Sequence, residues 1–298
     1  MTPPVPPHPQ GLAKWVAGAR PRTLPVSAAP VVVGTAAAYQ ACSDVVWWRA
    51  VAALIVALAL QVGVNYANDY SDGVRGTDAE RRGPVRLTAT GLASPAAVKR
   101  AAGIAFAVAA VVGLVLSLAV NPWLLLVGVA AIAAGVLYTG GPKPYGYIGL
   151  GEVMVLVFFG FVATVGSAYV QHESVPATAW WGSLVVGLPT VAVLLANNIR
   201  DVPTDAVTGK RTLAVRIGAP AARGLFTACL VGAFAALVPM LLDAPWVALG
   251  FVALPLGVVP VRLVLTRTDP PGLVAALVAT VRCTIALGAL CALGLVLS

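Results

Sequence analysis

Residues 46–72 read VWWRAVAALIVALALQVGVNYANDYSD, an apolar run that ends in Asn and Asp side chains. A helix needs about 20 mainly apolar residues to cross roughly 30 Å of hydrocarbon, and residues 46–67 meet that length. Eight further runs have a similar length and composition: 23–42, 101–120, 123–139, 148–170, 179–199, 224–242, 245–265 and 272–297. The sequence therefore predicts an all-α polytopic membrane protein with about nine transmembrane helices.

The composition of the 298 residues excludes a soluble globular protein. Hydrophobic residues make up 59% and charged residues only 10%, and the mean hydropathy is +0.91, whereas a soluble domain carries about 25% charged residues. No stretch outside the predicted spans is long enough to form a second domain. We therefore predict a single transmembrane domain over residues 1–298, in which the proline-rich residues 1–12 form a disordered tail.

The net charge of +8 is distributed as in a membrane protein and does not indicate nucleic-acid binding. With nine spans and a cytoplasmic N-terminus, all of the 19 Lys and Arg residues except Arg49 and Arg282 fall on the cytoplasmic side, as the positive-inside tendency requires. The predicted location is a bacterial plasma membrane, which the chain crosses many times. Arg282 lies near the middle of the last span, where a charge is costly, so it either has a function or is neutralised inside the bundle.

Two clusters of Asn and Asp occur at the cytoplasmic ends of the second and sixth predicted spans. Each contains an Asn and an Asp four residues apart, which places both side chains on one face of a helix. We expect Gly73 and Gly76 in the first cluster and Pro203 in the second to break these helices, so that the last Asp of each cluster lies on a loop over the mouth of a cavity. The clusters comprise Asn65, Asn68, Asp69, Asp72 and Asp78, and then Asn197, Asn198, Asp201 and Asp205.

Carboxylates this close together at a buried helix end repel one another unless a cation neutralises them. Hard oxygen ligands suit Mg²⁺, which usually takes one or two carboxylates and completes its shell with water and substrate phosphates. The alternative is that both clusters are ordinary solvated loops. We predict Mg²⁺ bound together with a diphosphate by the catalytic residues Asp72, Asp78, Asp201 and Asp205, with Asn68 and Asn197 or Asn198 as neutral oxygen ligands.

Other polar side chains around the clusters are predicted to contact the substrate. Lys and Arg can bind the phosphate oxygens that a metal ion leaves free. The predicted substrate-binding residues are Asn68, Asp69, Asn197, Asn198, Arg75, Arg200, Lys210, Arg211 and Lys143.

The two clusters resemble the two aspartate-rich motifs of the UbiA superfamily of intramembrane prenyltransferases. The resemblance rests on residues 68–78 (NDYSDGVRGTD) and 198–213 (NIRDVPTDAVTGKRTL), and residues 20–25 (RPRTLP) and 138–152 (YTGGPKPYGYIGLGE) are similar to further stretches of the same superfamily. The commoner spacing would place an aspartate at position 76, where this chain has glycine. That departure points to the branch that prenylates 1,4-dihydroxy-2-naphthoate.

The resemblance implies a fold in which about nine helices surround a central cavity under a cytoplasmic cap. It also implies Mg²⁺-dependent transfer of a polyprenyl chain from polyprenyl diphosphate to 1,4-dihydroxy-2-naphthoate, with loss of CO₂ and diphosphate, in menaquinone biosynthesis. Within this family Arg22 is our candidate for binding the acceptor carboxylate, unless it only anchors the first span at the membrane surface. Tyr138 and Lys143 are expected at the diphosphate.

Three alternatives stay open on the sequence. A prenyltransferase of the same superfamily acting on 4-hydroxybenzoate, haem or a sugar phosphate would use the same motifs. A secondary transporter would carry polar residues at mid-span, whereas these clusters lie at helix ends. A CDP-alcohol phosphotransferase would need a D-G-x-x-A-R kernel, and Asp72-Gly73 is followed here by a different sequence.

Overall fold

A computed structural model describes residues 9–76 and 85–298 of the chain. In these two ranges every regular element is helical and no strand occurs. The helices are, in chain order, α1 (Leu12–Ala19), α2 (Pro25–Cys42), α3 (Trp47–Arg75), α4 (Pro95–Val120), α5 (Leu124–Leu137), α6 (Gly151–His172), α7 (Ala177–Thr208), α8 (Leu213–Ile217), α9 (Ala219–Met240), α10 (Pro245–Thr266) and α11 (Pro270–Leu297).

Seven helices are long and apolar enough to cross a membrane: α3, α4, α6, α7, α9, α10 and α11. The remaining two predicted spans correspond to α2, which has 18 residues, and to α5, which has only 14. All nine predicted runs are therefore helical, but the count of nine transmembrane helices is not confirmed. The predicted tail lies mostly outside the described residues, and α1 begins at Leu12.

Helices α2 and α7 lie at the centre of the molecule. Helix α2 packs against α3, α6, α7 and α11, and α7 is the most buried of the seven long apolar helices. Small residues permit this packing, as they do between many transmembrane helices. A Cβ atom on Gly34 of α2 would lie 2.1 Å from the carbonyl oxygen of Thr164, so the backbones of α2 and α6 touch directly.

Helix α6 contains a π-helical segment, Leu156–Val162, between two regular segments. This wider turn contains Gly160, which faces Gly187 of α7, and a Cβ on Gly187 would lie 2.7 Å from the Cα of Gly160. Such π turns often occur near functional sites. Here the turn follows the first residues of α6, which lie beside the second Asn/Asp cluster through the contact of Glu152 with Asn198.

Both clusters lie on continuous helices, so the predicted helix breaks at Gly73 and Pro203 are wrong. Helix α3 continues through Gly73 and ends at Gly76, which has a φ of 73° that glycine adopts without strain. Helix α7 continues through Pro203 to Thr208, because proline removes only one intrahelical donor and packing around a buried helix can offset that loss. Asp205 is consequently a helical residue, one turn after Asp201, rather than a loop residue.

Short elements cover the ends of α3 and α7 at which the clusters lie. Segment 85–93 is attached to α3, and α1 is attached to that segment through a hydrogen bond of 2.6 Å from Lys14 to the carbonyl of Leu92. The 3₁₀ turn Tyr145–Ile148 accepts a hydrogen bond of 2.9 Å from the backbone N–H of Arg211. Together these elements form a cap, which agrees with the predicted architecture.

Candidate active site

A cavity of about 1730 Å³ lies between the helices, and it is lined by residues of α2, α3, α4, α5, α6, α7 and α11. Most pockets for small molecules measure roughly 300–1,000 Å³, so this cavity has room for a larger ligand. The part away from the cap is lined mainly by apolar side chains, among them Leu116, Ile132, Phe158 and Val170. It can hold a long hydrocarbon chain.

The two Asn/Asp clusters meet at the capped end of this cavity, which we call the polar end. Asn68 and Asp72 of α3 line it from one side. Asn197, Asn198 and Asp205 of α7 line it from the other. Because α3 and α7 both end under the cap, the clusters contribute to one site, as the spacing of the motifs predicts.

Asp72 contacts Tyr147 and Lys210 at the polar end. It is 2% exposed, its Oδ1 accepts a hydrogen bond of 2.5 Å from the hydroxyl of Tyr147, and its Oδ2 lies 3.1 Å from Nζ of Lys210. The same ammonium group lies 4.7 Å from the centroid of the Tyr147 ring. Gly209, with a φ of 79°, ends α7 and turns the chain so that Lys210 can reach α3.

Asp201 has a different partner. Nε and one terminal nitrogen of Arg200 donate hydrogen bonds of 2.7 and 2.8 Å to the two carboxylate oxygens of Asp201, and both side chains are buried. Asp201 itself does not line the cavity, whereas Arg200 does. The sequence argument that buried carboxylates need cations therefore holds for Asp72 and Asp201, and protein side chains supply these cations.

The donor set fits a divalent ion that is bound together with a substrate. Among the residues that the structure describes, no three His, Cys, Asp or Glu side chains gather closely enough to hold a metal ion by themselves. Mg²⁺ needs no such group, because one or two carboxylates, water and phosphate oxygens satisfy it. The oxygens that line the polar end belong to Asn68, Asn197, Asn198, Asp72 and Asp205.

Hydrogen bonds hold the side chains of Asn68 and Asn198 in position. The hydroxyl of Thr139 donates to Oδ1 of Asn68 at 2.7 Å. Nδ2 of Asn198 donates to Oε1 of Glu152 at 2.8 Å, so the amide oxygen of Asn198 is left for the cavity. Glu152 is 4% exposed, and its Oε2 has no hydrogen-bond partner among the described residues.

Several predicted site residues do not line the cavity, and Asp69 is the clearest correction. Its carboxylate accepts hydrogen bonds from the backbone N–H groups of Leu87 (2.8 Å) and Thr88 (2.9 Å). Both oxygens thus attach segment 85–93 to α3 and are not directed at a substrate. Arg75 likewise donates to the carbonyl oxygens of Thr139 and Gly141.

The other predicted residues divide into three groups. Lys143 and Arg211 are exposed and do not line the cavity, which does not favour the predicted contacts with a diphosphate. Asp78 lies outside the described residues. The predicted residues that do line the cavity are Arg22, Asn68, Asp72, Tyr138, Asn197, Asn198, Arg200, Asp205 and Lys210.

The sequence analysis did not identify some residues of the polar end. Tyr147 and Thr139 are hydrogen-bonded to the first cluster, and they belong to the stretch 138–152 that resembles the superfamily. Tyr145 also lines the cavity, and burial raises its pKa to about 12. The rings of Tyr145 and Tyr138 pack edge to face at 5.4 Å, so two aromatic rings lie together on the cavity wall.

Comparisons with known proteins identify the family of this chain. The model of the UbiA prenyltransferase family matches residues 27–282. The chain is 51% identical, over 82% of its length and 84% of the relative, to a 1,4-dihydroxy-2-naphthoate octaprenyltransferase of Mycobacterium tuberculosis. It is 37% identical to the enzyme of that name from Escherichia coli, over 95% of each chain.

Solved structures show the same fold at low sequence identity. A UbiA homolog from Archaeoglobus fulgidus bound to GPP and Mg²⁺ superposes with a TM-score of 0.63 at 15% identity, covering 93% of this chain and 99% of that one. A UbiA homolog from Aeropyrum pernix gives a TM-score of 0.64 at 14% identity, covering 92% and 97%. The chain, a multi-pass membrane protein, belongs to the UbiA prenyltransferase family.

Proposed function

We propose that the protein transfers a polyprenyl chain from polyprenyl diphosphate to 1,4-dihydroxy-2-naphthoate, with loss of CO₂ and diphosphate, as a step of menaquinone biosynthesis. One observation carries this proposal: the two Asn/Asp clusters meet at one end of a cavity whose remaining length is mainly apolar. That combination suits a ligand with an anionic head and a long hydrocarbon tail. The names of the relatives at 51% and 37% identity supply the acceptor.

The diphosphate would lie at the polar end. Lys210, Arg200 and Arg86 line this end and carry positive charges suited to phosphate oxygens. Mg²⁺ would be held by Asp72, Asp205, Asn68 and Asn198, and we expect Asp78 to contribute as well. Asp201 would contribute through Arg200, which it holds at the cavity wall. When bound, the ion would stabilise the charge of the departing diphosphate. The Archaeoglobus homolog that binds GPP and Mg²⁺ supports this arrangement.

The allylic carbon becomes electron-poor as its bond to the diphosphate oxygen breaks. Tyr138 and Tyr145 line the cavity beside the polar end, and the faces of aromatic rings attract positive charge. The apolar wall keeps water away from this carbon, which water would otherwise trap. The naphthoate ring then attacks the carbon, and the broken C–CO₂ bond returns its electron pair to the ring.

The prenyl chain would extend among the helices. Large apolar side chains on the outer faces of α4 and α5 are exposed, as expected for helices in contact with lipid. The distribution of Lys and Arg supports a bacterial plasma membrane with the polar end towards the cytoplasm. Both substrates could then reach the site, the anionic head from the aqueous side and the tail from the membrane.

The test is an acceptor competition with the purified protein in liposomes, supplied with Mg²⁺ and a polyprenyl diphosphate. We expect 1,4-dihydroxy-2-naphthoate to be prenylated and 4-hydroxybenzoate to be left unchanged. Prenylation of 4-hydroxybenzoate alone would be consistent with prenyl transfer but would overturn the naphthoate as the acceptor. Absence of transfer to any acceptor, from protein that is folded and inserted, would overturn the proposed function.

A further inference from the structure

Helix α11 presents a stripe of side chains to the cavity, and a single one of them is charged. The stripe includes Pro271, Val274, Val278, Arg282 and Ile285. Arg282 is the thirteenth of the 28 residues of α11, close to the middle of a helix long enough to cross the membrane. The structure thus places a guanidinium group on the wall of the cavity at membrane depth.

Arg282 has no hydrogen bond or ion pair with the residues that the structure describes. Its side chain is exposed to the cavity. A charged side chain near the centre of a membrane costs about 3 kcal/mol or more, and it normally faces a partner. None of the described residues supplies that partner, and an anionic ligand in the cavity has suitable chemistry for it.

The depth of Arg282 follows from its neighbour. Val281 packs against Val26 of α2 and Val193 of α7. Val193 precedes Asn197 by one helical turn, roughly 6 Å. Arg282 therefore lies about one turn farther from the cap than the second Asn/Asp cluster.

The direction of α11 bears on which end of the cavity Arg282 faces. Arg223, near the start of α9, donates to the carbonyl oxygen of Arg267 at 3.0 Å, so α9 and α11 both begin on the side where α7 ends. Side chains in an α-helix tilt towards its N-terminus. The Cα–Cβ bond of Arg282 is accordingly tilted towards the polar end.

Two further polar residues lie at the same depth. Ser27, next to Val26, donates to Oε1 of Gln61 at 3.1 Å, and both line the cavity. Gln61 in turn donates to Oδ1 of Asn65 at 3.1 Å. One N–H of Gln61 and the lone pairs of Ser27 are left over, and they suit the hydroxyl groups of an aromatic ligand.

We propose that Arg282 binds the carboxylate of the aromatic acid acceptor, beside the allylic carbon of the donor. This inference rests on the proposed function. The diphosphate is accounted for by the clusters and Lys210 at the polar end, and lipid head groups do not reach mid-membrane depth. A guanidinium group matches a carboxylate with two parallel hydrogen bonds. Arg282, rather than the predicted Arg22, would then select an acceptor that carries a carboxylate.

The reaction balances with this assignment. The allylic C–O bond breaks and its electron pair leaves with the diphosphate. Ring electrons form the new C–C bond at the carbon that bears the carboxylate. The C–CO₂ bond then breaks, its electron pair restores the ring, and CO₂ leaves Arg282. No oxidant or reductant is needed.

The experiment compares two acceptor-site ligands in wild type, R282Q, R282K, R22Q and the matched control R262Q. Arg262 is an exposed residue of α10 that does not line the cavity. The ligands are 1,4-dihydroxy-2-naphthoate and 1,4-dihydroxynaphthalene, which has the same ring and hydroxyl groups but no carboxylate. The measurements are the KM of the naphthoate, the inhibition constant of the diol, and the KM of the polyprenyl diphosphate.

We expect wild type and R262Q to prefer the naphthoate by about tenfold or more, as for a hydrogen-bonded charge pair. R282Q should bind the two ligands equally, with an unchanged KM for the donor. R282K keeps the charge but loses the paired hydrogen bonds, so it should retain only part of the preference.

If R282Q still prefers the naphthoate to the diol, the assignment is overturned. The same holds if R22Q loses this preference instead. If R282Q does not fold, a preference for the naphthoate in R282K equal to that of wild type would also overturn the assignment. Wild type that never prenylates the naphthoate would overturn the proposed function itself, and this is established before any variant is compared.

Discussion

The ammonium nitrogen of Lys210 lies 3.1 Å from Oδ2 of Asp72, and this ion pair joins the segment after α7 to the inner face of α3. Both side chains are buried, so each charge depends on compensation by nearby groups. Tyr147 adds a hydrogen bond to the same carboxylate. The polar end is thus held together by contacts between elements that are far apart in the sequence.

The substitution Lys210→Met tests whether a divalent ion can replace this cation. Removing one member of a buried pair costs about 3 kcal/mol or more, so we expect a lower Tm in EDTA. Mg²⁺ should restore part of the loss, because an ion bound at Asp72 would supply the missing charge. Thermal unfolding with and without Mg²⁺ measures both effects, and Lys99→Met on the exposed face of α4 is the control. If Lys210→Met lowered the Tm equally with and without Mg²⁺, the proposal that the ion binds at Asp72 would be contradicted.

One carboxylate of each cluster, Asp72 or Asp201, is expected to be indispensable for prenyl transfer. Asp72→Asn and Asp201→Asn should each lower kcat by on the order of 100-fold or more, because Asp72 would hold the ion and Asp201 holds Arg200, the two cations that would stabilise the departing diphosphate. The protein should still insert into the membrane and keep its fold. The same substitution at the exposed Asp243, in the loop before α10, should leave turnover unchanged. Full turnover in either cluster variant would remove these residues from the mechanism.

Asp69→Asn should behave differently from these two variants. The carboxylate accepts one N–H group at each oxygen, from Leu87 and Thr88. In an asparagine an NH2 group replaces one of these oxygens, and it cannot accept from the N–H group that faces it. A buried donor left without a partner costs about 1–3 kcal/mol. We expect a lower Tm and easier proteolysis of segment 85–93, with the donor KM of the folded fraction unchanged. A large rise of that KM at full stability would return Asp69 to the substrate site.

The sequence predicts that the protein is a membrane protein, where its helical runs lie and where the two Asn/Asp clusters occur, because these features depend on local composition and spacing. It does not predict which cluster residues face the cavity. Asn68 and Asp69 are adjacent in the chain, yet one lines the cavity and the other binds segment 85–93. That difference depends on where the cap docks, which is a tertiary contact.

The continuity of α7 shows a second limit. Proline normally ends or kinks a helix, and Pro203 was expected to do so, but α7 runs on to Thr208. The sequence also does not show which groups contact an isolated charged residue. Glu152 and Arg282 stand out as charged residues in apolar runs, but the sequence does not indicate that Glu152 contacts Asn198 or that Arg282 faces the cavity.

The hydrogen bond from Asn198 to Glu152 gives the last prediction. Oε1 of Glu152 accepts this hydrogen bond, so the amide nitrogen of Asn198 is turned towards Glu152 and its amide oxygen towards the cavity. Glu152 is therefore a positioning residue for Asn198. A glutamine at position 152 can donate as well as accept and no longer fixes this orientation. We expect Glu152→Gln to lower kcat/KM by about tenfold.

A double-mutant cycle separates positioning from a general loss of packing. If Glu152 acts through Asn198, E152Q combined with N198A should be no worse than N198A alone in kcat/KM for the donor. Independent effects that multiply would mean that Glu152 acts in another way. Glu173→Gln is the matched control, because Glu173 is exposed just after the opposite end of α6. Its kcat and KM should equal those of wild type, so a loss in E152Q would reflect the contact with Asn198 and not the charge change alone.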